Sequence, residues 1–253
     1  MDNLIWISRE IFDWDYYSEG GRVLSNDGWL RSYQIWEHSK KLIEQAKSEF
    51  ELADGILNLK RALNHRLKLI ESHYRFREFD NSWRSIGYLE LLERFGLVRP
   101  YLMKNLLTIR NDIEHNDTKP PSKERCMEFT DIIWYFLKST DPIVQILKNS
   151  IVYDLYDDEG YETNYGFSIS VNRSDACDIE IRGWFSESII SYTFIEGYLA
   201  IKYTELKTKK KWEDSQFNYH KDKLETDKYI RGNLIELTPE AKTLMLSHVI
   251  SAV

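Results

Sequence analysis

The feature that most constrains this chain is a change of hydrophobic period near Ile151. Upstream, apolar residues recur at helical spacing; downstream they alternate. Tyr165, Phe167, Ile169 and Val171 alternate with Gly166, Ser168 and Ser170, and Cys177, Ile179 and Ile181 alternate with Asp178, Glu180 and Arg182. A period of 2 gives a sheet one apolar face, whereas a period near 3.6 gives a helix an apolar stripe. A chain that segregates the two patterns along its length belongs to the α+β class.

The helical half is expected to hold five helices. Asn26-Asp27-Gly28 opens the first, with Trp29, Tyr33, Trp36, Ile43, Ala46, Phe50 and Ala53 on one face. Asp54-Gly55 punctuates, and Asp54 caps a second helix carrying Ile56, Leu59, Leu63, Leu67, Ile70 and Tyr74. After a polar break at Arg77–Ser82 comes a helix over Trp83–Phe95, with Gly96 as its stop. The fourth starts near Pro100, and the fifth runs from Ser122 through Lys138. Asp141-Pro142 opens a last short helical piece to about Lys148. Short connections between such helices fit an antiparallel bundle.

Residues 1–26 form an apolar, aromatic arm (Leu4, Ile5, Trp6, Ile7, Ile11, Phe12, Trp14) expected to pack on the body as a strand or short helix. Beyond the bundle, strands are expected at Ile151–Tyr156, Ser188–Ile195, Tyr198–Glu205 and Tyr229–Leu237. The two alternating runs close as a hairpin at Asn172–Asp175, and Glu196-Gly197 makes a turn. Thr238-Pro239-Glu240 is a cap, a first-turn proline and an acidic residue, so a helix to about Ala252 should cover one face of a mostly antiparallel sheet. The expected organisation is an arm over 1–26, a bundle over 27–149 and an α+β sheet domain over 150–253.

Composition narrows the function classes. With 8 Trp and 16 Tyr the chain has material for real cores. A net charge of −7 argues against coating nucleic acid by bulk electrostatics, though not against a local basic cleft. No run of ~18 apolar residues suggests a membrane span, and no basic-then-apolar leader suggests export. Cys126 and Cys177 stand far apart without a CxxC or Cys/His partner motif, which predicts buried thiols and a cytoplasmic setting.

Chemistry concentrates at Ile109–Asn116, I-R-N-D-I-E-H-N. Leu102, Leu106, Ile109 and Ile113 share a helical face, and Pro120-Pro121 follow, so these residues are the last turns of a helix. Asn111 and His115 lie one turn apart, as do Arg110 and Glu114. A guanidinium beside an imidazole is what a metal-free ribonuclease requires: one group moves a proton at a 2′-hydroxyl, and the other offsets charge on the scissile phosphate. On spacing alone the same residues also read as a surface ion pair, Arg110–Glu114, with His115 and Asn116 closing the helix.

The run Arg110-Asn111-Asp112-Ile113-Glu114-His115 resembles the signature of the HEPN superfamily of small all-α domains, and the resemblance covers roughly Asp27–Lys148. It implies catalytic roles for Arg110, His115 and Asn111 with Glu114 in support, no metal and no cofactor. It also implies cleavage of RNA to 2′,3′-cyclic phosphate ends, a homodimer formed through the bundle, and a place in toxin–antitoxin, stress or anti-phage systems. Many members of that superfamily have lost catalysis, so the alternative is a non-catalytic dimerisation or binding protein whose sheet domain senses a ligand or partner. Relatives governed by a nucleotidyltransferase antitoxin often carry a tyrosine two residues after the histidine; here that residue is Asp117.

Elsewhere the signals are bland. Lys207, Lys209, Lys210, Lys211 and Trp212 suit RNA contact, yet flanking Glu205, Glu213 and Asp214 favour a solvated loop. Tyr153, Tyr156, Tyr161 and Tyr165 among Asp154, Asp157, Asp158 and Glu159 suit a ligand patch, or half-buried strand aromatics. His65 and His73 read as surface or core-edge residues, and His220 and His248 carry no assignment.

Overall fold

A computed structural model describes residues 3–24, 28–116, 118–173, 177–208 and 225–251, and the chain divides into two compact units. One comprises residues 22–147; the other joins residues 1–21 to residues 148–253. The class is α+β, with an antiparallel sheet and a C-terminal helix.

The helical unit contains α1 (Gly28–Gln45), α2 (Glu49–Tyr74), α3 (Phe76–Phe79), a 3-10 turn (Asn81–Ser85), α4 (Tyr88–Arg94), α5 (Tyr101–Asn116) and α6 (Lys123–Gln145). Helices α1, α2 and α6 pack on one another, and α5 packs on α2 and α6. Their shared core includes Ile43, Ile56, Leu59, Leu63, Leu106, Phe129, Ile133 and Leu137, all fully buried. Each such side chain contributes roughly 1.5–3 kcal/mol relative to exposure.

Three helix boundaries differ from expectation. The first helix ends at Gln45 rather than at Asp54, and α2 begins at a capping box. Ser48 Oγ accepts from the Glu51 amide at 3.3 Å while the Ser48 amide donates to Glu51 Oε2 at 3.1 Å. Gly55, read as punctuation, lies inside α2 as a packing notch, where an added Cβ would fall 2.4 Å from Ile43 Cγ1. Nor does Asp141-Pro142 start a new piece, because α6 runs through it to Gln145. A mid-helix proline removes a hydrogen bond and crowds the preceding turn. In that turn the fully buried Arg66 of α2 donates from Nη1 to Leu137 O and Thr140 Oγ1, both at 3.3 Å, and to Asp141 Oδ1 at 2.9 Å. The Tyr33 hydroxyl of α1 donates to Asp141 Oδ2 at 2.7 Å, so one ion pair ties three helices and holds α6 past the proline. Likewise, Trp83–Phe95 forms two pieces, the 3-10 turn and α4. Gly96, at φ 72°, ends the second as expected.

In the sheet unit, β1 (Leu4–Ile7), β2 (Asp15–Ser18), β5 (Ser150–Tyr156), β6 (Glu162–Val171), β7 (Ile179–Phe185), β8 (Ile190–Ser191), β9 (Leu199–Thr208) and β10 (Lys228–Ile235) form one sheet in the order β2-β5-β6-β7-β10-β9-β1-β8. Gly21–Val23 (β3) and Ile146–Lys148 (β4) make a separate two-stranded ribbon. The N-terminal arm is therefore part of the sheet. Strand β1 lies between β9 and β8, with Ile5 opposite Ile201, and β2 flanks β5, with Tyr16 opposite Tyr153. The expected hairpin is present, β6 against β7 with Ile169 opposite Ile181; positions 174–176 of its turn lie outside the described residues. The expected strand Ser188–Ile195 shrinks to a 3-10 turn and the two residues of β8.

The closing helix, α7 (Pro239–Ser251), starts as expected, with the Ala241 amide donating to Thr238 Oγ1 at 3.3 Å. It buries Ala241, Met245, Leu246, Val249 and Ile250. His248, which carried no assignment in the sequence, anchors it. The His248 ring stacks on Tyr16 at 4.1 Å, and its Nδ1 lies 2.9 Å from the Tyr153 hydroxyl.

Candidate functional site

The candidate site occupies the last two turns of α5. Met103 and Leu106 bury the inner face of that helix, which turns Arg110, Asn111, Glu114 and His115 toward its margin; the side chain of Leu102 lies outside the described residues. The helix end is held by Asp112, whose carbonyl accepts from the Thr118 amide at 3.3 Å and whose Oδ1 accepts from Asn116 Nδ2 at 3.3 Å. Asp117, the position that bears on antitoxin type, lies outside the described residues.

The four site residues form a chain of contacts led by Arg110. Its side chain is only 16% exposed, and Nη2 is paired with Glu114 Oε2 while Nη1 donates to Asn111 Oδ1 at 3.0 Å. His115, in contrast, is 69% exposed, with Nε2 3.6 Å from the same Glu114 oxygen. The arginine thus does not reach the histidine directly; one carboxylate oxygen stands between them. Asn111 is spent on Arg110 rather than on the imidazole one turn away. Arg110 Nε is buried without a hydrogen-bond partner among the described residues.

A further cation joins the group from α2. Lys60 is half-buried, and its ammonium pKa is lowered first by burial and then by the charge of Arg110, while Glu114 opposes the shift. It makes no ion pair or hydrogen bond among the described residues. Lys60 lies far from the motif in sequence, on a helix whose pattern reads only as amphipathic, so no local signal marked it. Arg110 and Lys60 bring two cations to the end of α5, against the carboxylates of Glu114 and Asp112. Such a group can hold an oxyanion, with an accessible imidazole beside it to accept or donate a proton.

The other flagged residues go different ways. Tyr153 is buried in the sheet core, Tyr156 and Tyr161 are exposed, and Tyr165 donates to Asp227 Oδ2 at 3.1 Å, so the tyrosines form no single patch. Lys207 pairs with Glu205, while Lys209, Lys210, Lys211, Trp212 and His220 lie outside the described residues. His65 Nδ1 lies 3.0 Å from Ser32 Oγ at the helical core edge. Burial pushes the Cys126 thiol up to about 11, as an inert buried cysteine requires. Among the described residues no cluster of His, Cys, Asp and Glu is arranged to hold a metal, and no helix is long and apolar enough to cross a membrane.

Compared with known protein families, curated proteins and solved structures, the chain matches none.

Proposed function

We propose that this protein is a metal-independent endoribonuclease of the HEPN type acting in the cytoplasm. The observation that carries the reading is the grouping of Arg110, Glu114 and His115 at one accessible helix end, with Lys60 beside them. In this reading His115 transfers the proton at the 2′-hydroxyl or the leaving 5′-oxygen, and Arg110 neutralises the phosphate as negative charge grows on it. Asn111 orients the guanidinium, and Glu114 holds it in place in the unliganded site. Attack by the 2′-hydroxyl leaves a 2′,3′-cyclic phosphate and a 5′-hydroxyl. One motif supplies one imidazole, whereas the two oxygens call for an acid and a base. A two-fold homodimer through the helical unit, bringing two motifs together, completes the site. A stress, toxin or anti-phage role follows from the resemblance of the motif.

A second reading is favoured by the saturation of Arg110. Both of its terminal nitrogens are engaged within its own helix, as in a residue that only closes α5. The protein would then be a non-catalytic dimerisation or binding module with a partner-sensing sheet. Incubation of purified protein with mixed cellular RNA in chelator, followed by mapping of RNA ends, separates the two. New cyclic-phosphate ends support the nuclease; intact RNA at micromolar enzyme refutes it.

A further inference from the structure

Glu114 holds a position that a supporting residue need not hold. A group that merely fixed Arg110 could take the guanidinium from any side. Here a single oxygen, Oε2, pairs with Arg110 Nη2 and also faces His115 Nε2 at 3.6 Å. An oxyanion engaging both the guanidinium and the imidazole would have to stand in that place. The Glu114 side chain is 39% exposed, so it can swing into solvent, whereas Arg110 at 16% is held in the helix packing.

We propose that the Glu114 carboxylate is a built-in competitor for a phosphate-binding site formed by Arg110 and His115. The site takes one phosphate oxyanion, and Lys60, on the helix α2 that packs against α5, adds a supporting positive charge. This rests on reading the α5 terminus as a nucleic-acid site and adds to it an autoinhibited resting state and a cation from a second helix. When a phosphate arrives, Glu114 leaves Oε2's place, Arg110 Nη2 and the orphaned Nε turn to the ligand, and His115 is freed from the carboxylate. Lys60 answers the charge balance. With Glu114 displaced, Arg110 and Lys60 are left as two cations for one anion.

The test measures binding separately from cleavage. The probes are a short all-deoxy oligonucleotide, which lacks the 2′-hydroxyl nucleophile, and inorganic phosphate, each titrated calorimetrically into full-length wild type, Glu114→Gln and Lys60→Met. Removing an exposed competing carboxylate should tighten binding by about three- to tenfold, and removing Lys60 should weaken it by a similar factor. Tighter response from the oligonucleotide assigns a strand phosphate, and equal response assigns free phosphate; either supports the site. Unchanged or weaker binding by Glu114→Gln overturns the proposal, as does absence of binding in all three proteins. The outcome is distinct from that of the nuclease reading. Ordered affinities with no RNA cleavage leave the anion site standing alone, and cleavage with unordered affinities leaves the nuclease without a competitor.

Discussion

His115→Ala separates catalysis from folding on two well-spaced scales. The His115 side chain is 69% exposed, and its nearest charged neighbour is 3.6 Å away, beyond hydrogen-bond distance. An exposed contact of that kind contributes about 0–1 kcal/mol. Alanine returns a few tenths of a kcal/mol through helix propensity. The net change should stay within ~1 kcal/mol, which shifts the melting temperature of a chain this size by roughly 2–4 °C at most. Loss of a proton-transfer group instead lowers the rate ~100- to 10,000-fold, or about 3–5 kcal/mol in the barrier. Circular dichroism melts reads the first scale. Single-turnover cleavage of a labelled RNA in chelator reads the second. A variant that cuts RNA at the wild-type rate refutes the assignment of His115. One that melts without cooperativity refutes the claim that the ring is only a surface group.

Further outcomes follow from the same geometry. Asp141→Ala leaves Arg66 as a buried cation without its carboxylate and should destabilise the helical unit by about 3–5 kcal/mol, read as a lowered denaturation midpoint; a change below ~1 kcal/mol would show that Arg66 is already solvated. Light scattering at micromolar concentration should give a dimer mass, and a monomer with full activity would remove the two-motif argument. Burial lowers the pKa of His65, His73 and His248 from the ordinary 6.5. The unfolded chain therefore binds more protons, so the stability these histidines confer is complete above about pH 6.5 and is lost as pH falls through their folded values. Glu71, raised by burial in the helical unit, acts in the opposite direction, so the sheet unit gives the cleaner reading. His248→Phe, which keeps a ring against Tyr16, should flatten the loss of stability between pH 7 and pH 5; an unchanged pH profile would refute a neutral buried His248.

What the sequence determined by itself is what short-range patterning controls. The switch from period 3.6 to period 2, the Gly96 stop, the Thr238-Pro239 start of α7 and the hairpin β6–β7 all depend on residues within a few positions of one another, and all were legible. So was the company of Arg110, Asn111, Glu114 and His115, because six residues of one helix keep their spacing in any fold. Tertiary structure decided the rest. Strand β1 pairs with residues almost two hundred positions away, and no alternation in Leu4–Ile7 names β9 as its partner. The break between α1 and α2 falls at Ser48, where a capping box outcompetes the Asp54-Gly55 pair and packing against Ile43 turns Gly55 into a contact. Pro142, worth ~3 kcal/mol against a helix interior, is overruled by the packing of α6 and by Arg66. At the site, helical spacing allowed Arg110 to lean toward either His115 or Glu114. The pairing with Glu114 is an i,i+4 contact within α5, whereas Lys60 comes near only through the packing of α5 on α2, since electrostatic partners on separate helices meet only when the core brings those helices together.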